Sequence, residues 1–254
     1  PKTYSSPTYA PWYVLPIKPR PPHLSTHRTY LQRDKGWAKV KFPCIGFYAF
    51  LEFSIGRALH YSTILSRVKD DNATLLDIGC CFGQDIRKMV FEGAPAASLT
   101  GAELEPVFID LGYDLFRDKE TLGATFIAGD LFEEKAYGLM NETFDFVHAG
   151  SFFHQFSREE QKVALEKCLQ FLKPKAGSML VGRQLLGDEA SIIKHAALRS
   201  GEAYKHTLET WRELVSEVVG GMGLEVEHES EMMDIKRNRE ERKWKMMRFC
   251  VALK

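Results

Sequence analysis

Residues Thr74–Asp85 read TLLDIGCCFGQD, and the organisation of the chain follows from them. Leu75, Leu76 and Ile78 form a short apolar run of the kind that fills a buried parallel strand. The run breaks at Gly79, turns for four residues, passes Gly83 and enters a helical pattern from Asp85 through Val90. A strand that turns through glycines into a helix N-terminus leaves a crevice lined by backbone N–H groups, suited to a nucleotide-like ligand. Glycine turns also join strands to helices in sheets that bind nothing there, so the stretch needs company before it names a site.

Downstream, strands and helices alternate. After a helix to about Glu92, stopped by Gly93 and Pro95, strands are expected at Ser98–Glu103, Phe126–Ala128, Asp145–Ala149 and Met179–Val181. A helix follows the second strand to about Lys119. Another starts at Ser157, with Glu160 three residues later completing a capping box. Leu208–Val219 reads as a helix, and Leu224–His228 and Met246–Leu253 as closing strands with no helix between them, so one of the pair runs antiparallel. The expected fold is α/β, a doubly wound Rossmann-like sheet of seven strands with the last antiparallel.

Upstream, residues 1–70 read as an N-terminal arm and helical cap, and residues 71–254 as the ligand-binding domain. Seven of the eleven prolines lie between Pro1 and Pro22, with Trp12, Tyr13, Tyr4 and Tyr9 among them. That density forbids regular structure, and so many aromatics suit an extended arm, taken as far as residue 40, that packs on its own domain or on a second copy in a homodimer. From Phe47 to Val68 apolar spacings of three and four predict two helices broken near Gly56–Tyr61.

The 254 residues carry 34 Lys+Arg against 34 Asp+Glu, so no net field favours nucleic acid or an anionic membrane. The basic run Lys236–Lys243 is interrupted by Glu240 and Glu241 and fits a solvated hairpin. Five cysteines without CxxC spacing suggest reduced thiols. No apolar run of 18 residues and no leader-like segment stand out. The expectation is a cytoplasmic protein.

Two further strand ends sharpen the ligand. Glu103 closes the second strand, where a carboxylate accepts from ribose hydroxyls or simply caps the following helix. Asp130 follows Gly129 at the third, placed to accept from an exocyclic adenine amine. A glycine turn, a Glu and an Asp at three successive strand ends are far more specific than any one of them.

At this point DIGCCFG, GAELEP, AGDLF, FDFVHA and LKPKAGSMLV resemble, in order and spacing, the motifs of class I S-adenosylmethionine-dependent methyltransferases. EFSIGR, LLDIGCCFGQD, GAELEPVFIDLGYDLFRD and SFFHQFSREEQ further resemble a fungal secondary-metabolism group that includes carboxyl methyltransferases of meroterpenoid intermediates. The resemblance implies S-adenosylmethionine as cofactor. Asp77, Gly79, Cys80, Cys81 and Gly83 would shape the loop facing its methionine end. Glu103 would hold the ribose, with Leu104 against the adenine, and Asp130 and Leu131 would meet the adenine edge. His148 and Ala149, with Gly150, would flank the sulfonium. Cys81 stands where the family often has glycine, and a side chain there narrows the backbone's approach. The same bulk, with Gln84 and Asp85, argues against a dinucleotide's pyrophosphate.

A carboxylate acceptor arrives ionised and needs no base, whereas a phenol or alcohol benefits from one. His148 and His154 are the candidate bases, His154 also for substrate binding; either is equally read as a polar residue of the pocket floor. Arg183 and Gln184 follow the fifth strand, where an arginine can pair with a substrate carboxylate or tie down a loop. Phe153, with Phe152 and Phe156, and Trp37 are candidates for an apolar wall, and Tyr204 and His206 for a pocket border. No Asp/Asn cluster follows the fourth strand, so no metal is expected. The reading is an O-methyltransferase acting on a carboxylate of a small apolar metabolite. Transfer to a phenol, carbon or nitrogen, or a non-methylating relative acting as cyclase or partner, is the alternative.

Overall fold

In the computed structural model, which describes residues 26–40, 43–46, 48–133, 136–138, 142–194, 198–235 and 244–254, Leu75–Ile78 is the central strand β1. The sheet adds β2 (Leu99–Glu103), β3 (Thr125–Ala128), β4 (Phe146–Gly150), β5 (Met179–Leu185), β8 (Val226–Ile235) and β9 (Trp244–Leu253) in the order β3-β2-β1-β4-β5-β9-β8. β1 to β5 are mutually parallel, and β9 runs antiparallel to both β5 and β8. The expected sheet, with its antiparallel last strand, is present. Its order reverses between β1 and β4, and at such a switch point the strand C-termini open into a crevice.

Every residue of β1 is buried, because helices cover both faces. α3 (Tyr61–Asp70) and α4 (Gln84–Phe91) pack Ile64, Val68, Ile86 and Met89 onto one face. α6 (Arg158–Gln170) and α7 (Leu208–Met222) pack Leu165, Leu169, Trp211 and Leu214 onto the other. Each fully buried aliphatic of this kind contributes about 1.5–3 kcal/mol. The predicted capping box at α6 forms: Ser157 Oγ accepts from the Glu160 N–H, and Glu160 accepts from the Ser157 N–H.

Three expectations change. The proline-rich reading of residues 1–40 fails from residue 26, where the chain is free of proline and forms α1 (Thr26–Lys39); the arm itself, residues 1–25, lies outside the described residues, as does the basic run at 236–243. The first of the two helices expected from residue 47 is instead two short 3₁₀ turns, Ala49–Leu51 and Ser54–Arg57, separated by Phe53 in a left-handed conformation. Between β5 and α7 the chain inserts a second sheet, β6 (Ser191–Lys194) paired with β7 (Glu202–Lys205), which the sequence reading omitted.

The cap forms around its own apolar cluster. Ile45 of α2 (Pro43–Gly46), Tyr48 and Phe50 pack against Phe82 of the glycine turn and Phe108, Leu111 and Leu115 of α5 (Pro106–Phe116). Phe50 and Phe82 lie 4.6 Å apart between ring centroids. α5 approaches so closely that a β-carbon on Gly112 would stand 2.3 Å from the Phe82 carbonyl oxygen. The ends of the glycine turn are thus held by the cap on one side and α5 on the other.

Cys80, Cys168 and Cys250 are free thiols. Among the described residues no helix is long and apolar enough to cross a membrane.

Candidate active site

The turn after β1 has the geometry its glycines suggest. Gly79 and Gly83 sit at φ +67° and +65°, in the left-handed region where glycine alone is unstrained. A β-carbon on Gly79 would meet Phe152 at 2.8 Å, and one on Gly83 would meet Phe126 at 2.5 Å. Cys81 adopts the same hand, φ +55°, in spite of its side chain. That side chain packs at the edge of the cap's aromatic cluster, which resolves the concern about bulk at this position. The Cys80 N–H donates to the Ala102 carbonyl at 3.0 Å; its side chain is buried against Gly101, and burial pushes its thiol well up.

Glu103 is buried at the end of β2. Oε2 accepts from the Cys81 N–H at 2.9 Å and Oε1 from the Glu105 N–H at 3.1 Å. Burial outweighs these bonds and raises the carboxyl to about 6. Leu104 beside it is half exposed. Asp130 lies past β3; Oδ1 accepts from the Phe132 N–H at 2.9 Å, and Oδ2 pairs with Arg199. Leu131 and Ala149 turn into the core on the α6/α7 side and offer backbone only.

On the cap side of the sheet the strand ends carry charge. Asp77 and His148 are directly paired in register across β1 and β4, and His148 Nδ1 lies 2.7 Å from Asp77 Oδ1. Burial alone would push the His148 ring down, but the Asp77 carboxylate outweighs it and raises the ring. Burial also raises the Asp77 carboxyl, against the pull of His148. His148 Nε2 and Asp77 Oδ2 are buried without partners among the described residues. Asp85 completes a group of three ligand-type side chains within 4.8 Å. Its oxygens accept from Ser54 Oγ at 2.7 Å and the Ile55 N–H at 3.0 Å, so hydrogen bonds already account for it.

Arg183 and Gln184 do not follow the fifth strand as expected but belong to it, because pairing with β9 carries β5 on to Leu185; Arg183 faces this same side. Nη2 donates to Glu52 Oε2 at 2.9 Å and Nε to Ser151 Oγ at 3.2 Å, while Nη1 is buried without a partner among the described residues. Glu52, which was not among the candidate site residues although its motif was quoted, thus joins the candidate site. It belongs to the EFSIGR stretch, whose next members hold Asp85.

Other candidates are placed elsewhere. Phe153 is fully buried between Trp211 and Phe249 at 5.4 and 5.8 Å and is core, not pocket wall. Phe152 and Phe156 pack edge-on with ring centroids 5.0 Å apart, and Phe152 lies over Gly79. Trp37 lies flat on Gly46 and seals the cap. Gln184 is buried on the opposite face from Arg183, as strand alternation requires. His206 packs on Trp211 and bonds Thr210, inside the α7 layer, and Tyr204 stacks on it. His154 accepts from the Leu185 N–H through Nδ1 at 3.4 Å, so its neutral ring carries hydrogen on Nε2. Burial and Arg183 push it down to about 4, which makes it a donor and a poor base.

A family model described as a methyltransferase domain matches residues 75–175. The O-methyltransferase phiE of a fungal species is 39% identical over 197 residues, which are 77% of this chain and 65% of phiE's own length. The asnovolin E/chermesin D methyltransferase nvfJ of Aspergillus novofumigatus is 34% identical over 200 residues, 77% of this chain and 71% of that protein. The solved structure of the small RNA methyltransferase HEN1 superposes with a TM-score of 0.52 at 14% identity, covering 76% of this chain and 24% of that one; at that identity the likeness shows the fold. The glycine turn, the strand-end carboxylates and these relatives agree, and the chain belongs to the class I S-adenosylmethionine-dependent methyltransferases, with relatives in fungal secondary metabolism.

Proposed function

We propose that the protein is an O-methyltransferase that esterifies a carboxylate of a small, largely apolar metabolite of the meroterpenoid kind. The residues fit the cofactor: a left-handed glycine turn keeps side chains away from the end of β1, Glu103 would offer its remaining lone pairs to ribose hydroxyls, and Asp130 would meet the adenine edge. The orphaned Asp77 Oδ2 and His148 Nε2 are buried acceptors suited to an ammonium group. When bound, S-adenosylmethionine supplies an electrophilic methyl on a sulfonium, so an oxygen with a free electron pair needs only orientation and dry surroundings.

The observation that carries the carboxylate reading is Arg183. A buried guanidinium keeps one N–H edge without a partner beside the strand ends, and a carboxylate satisfies it with a charge-assisted bond. Glu52 holds the other edge and fixes the fork. His154 supports the same choice, since a ring near pKa 4 takes no proton from a hydroxyl. Phe152 and Phe156 supply apolar wall, and nvfJ is named for asnovolin E and chermesin D.

One observation favours a second reading, a phenol or alcohol acceptor. The Asp77–His148 pair leaves Nε2 as an acceptor backed by a carboxylate, the arrangement of a general base. Incubation with methyl-labelled cofactor and candidate acids distinguishes the two. Label released as methanol by mild alkali is ester and supports the proposal; alkali-stable label that disappears in His148→Asn supports the second reading and overturns the first.

A further inference from the structure

We propose that Arg199, in the segment between β6 and β7, is the positioning residue that sets how Asp130 reads the cofactor's adenine. The inference rests on the cofactor site assigned above. Arg199 Nη1 lies 2.5 Å from Asp130 Oδ2, its guanidinium carbon stands 4.5 Å from the centre of the Phe132 ring, and its Nε comes within 3.9 Å of Glu160. Ser200 Oγ, next along, donates to Glu160 Oε2 at 2.8 Å. Glu160 is the residue that closes the α6 capping box. The inserted β6–β7 sheet is thereby fastened to the loop after β3 and to the start of α6 at one point.

A lone exposed ion pair contributes little. This guanidinium is different in being fixed from three sides: a hydrogen bond, an aromatic face and a second carboxylate. Asp130 in turn has one oxygen committed to the Phe132 N–H and the other to Arg199. With both oxygens so held, the carboxylate cannot rotate, and its remaining lone pairs point in fixed directions. An exocyclic amine is accepted there without an ordering cost, while an exocyclic carbonyl oxygen at the same place meets repulsion.

The wall continues inward. Phe132 stacks edge-on against Phe156 at 5.0 Å, Phe156 against Phe152 at 5.0 Å, and Phe152 lies over Gly79. Arg199 is the outer end of an aromatic row that begins at the glycine turn. The insertion that follows β5 in the chain is therefore in contact with the adenosine side.

The experiment compares binding of S-adenosylhomocysteine with its inosine counterpart, which carries oxygen in place of the amine, by calorimetry on the full chain. The wild type is expected to prefer the adenosyl form at least tenfold. Arg199→Ala is expected to reduce that preference at least fivefold, Arg199→Lys to give an intermediate value, and Asp130→Asn to abolish it. Arg199 is nearly half exposed, so its variants fold, and a purely structural role would weaken both ligands alike. A preference unchanged in Arg199→Ala overturns the proposal and leaves the cofactor site standing. Failure of the wild type to bind S-adenosylhomocysteine removes the site assignment, and this inference with it.

Discussion

Glu103→Gln separates folding from ligand binding at a single atom pair. The buried carboxyl titrates at about 6 against an ordinary 4.5. A raised pKa means that the native state holds the proton more tightly than the unfolded chain does. The stabilisation is complete below about pH 4.5 and is lost as pH rises through about 6, a swing of about 2 kcal/mol for a shift of this size. Glutamine does not titrate, so the variant lacks the swing. Its one carbonyl accepts from either the Cys81 or the Glu105 N–H and not both, which costs about 1–3 kcal/mol at every pH. Urea unfolding at pH 4 should find the variant less stable than wild type. By pH 7.5 the difference should have moved about 2 kcal/mol in the variant's favour. Cofactor affinity should go the other way: wild-type affinity for S-adenosylhomocysteine rises with pH through about 6 as the carboxylate forms, and the variant binds weakly and without that slope. A stability difference that does not move with pH, or wild-type affinity flat from pH 5 to 7.5, would refute the reasoning.

Other expectations follow from single contacts. Gly112→Ala forces a β-carbon against the Phe82 carbonyl, and overpacking of this kind costs about 1–3 kcal/mol with loss of cofactor affinity as the turn shifts; thermal unfolding and calorimetry report both. Gly79→Ala combines a left-handed backbone with a contact on Phe152 and should abolish cofactor binding while the circular dichroism spectrum remains that of the wild type. Arg183→Gln takes the guanidinium away from the buried Glu52 carboxylate and should cost about 3–5 kcal/mol, most of it recovered in the Glu52→Gln/Arg183→Gln double variant. That double variant should still bind S-adenosylhomocysteine but show a KM for the acid acceptor raised at least tenfold. His154→Ala should lose no more than a few-fold in kcat, because a ring held near pKa 4 supplies no base; a loss of a hundredfold or more would return it to the reacting atoms.

The proposed cofactor half of the candidate site was legible because it is made from residues local to each strand end. A glycine turn, a strand-terminal Glu and a strand-terminal Asp each announce themselves within a few positions, and the parallel order then brings them together. The acceptor half was not. Phe153 and Phe156 differ by three positions around one short turn, yet one faces Trp211 and the other Phe132 and Phe152, and no local periodicity distinguishes them. The β6–β7 insertion was missed because Ser191–Lys194 is flanked by polar residues and carries two consecutive isoleucines, so it shows no alternation. α1 was hidden by the prolines that precede it, although none falls inside it.

The stretch Glu52–Arg57 shows why the cap itself was only half readable. Its residues have helical spacing, and the expected helix would have left Asp77, His148, Asp85 and Arg183 beneath a plain apolar surface. Burying those charges without partners costs several kcal/mol each. The chain instead takes a left-handed residue at Phe53, which breaks the helix and delivers the Glu52 carboxylate, the Ser54 hydroxyl and the Ile55 N–H to the strand ends in succession. The tertiary demand for hydrogen bonds thus overrides the local preference for a helix. It follows that the stretch is conformationally tied to the site it covers: Ser54→Ala removes one of the two bonds to Asp85 and leaves an oxygen of that buried carboxylate unsatisfied. The expected result is a loss of about 1–3 kcal/mol together with faster amide exchange across Glu52–Arg57, measured by mass spectrometry. Unchanged exchange there would mean that the apolar cluster alone holds the cap, and that the polar contacts follow from its position instead of setting it.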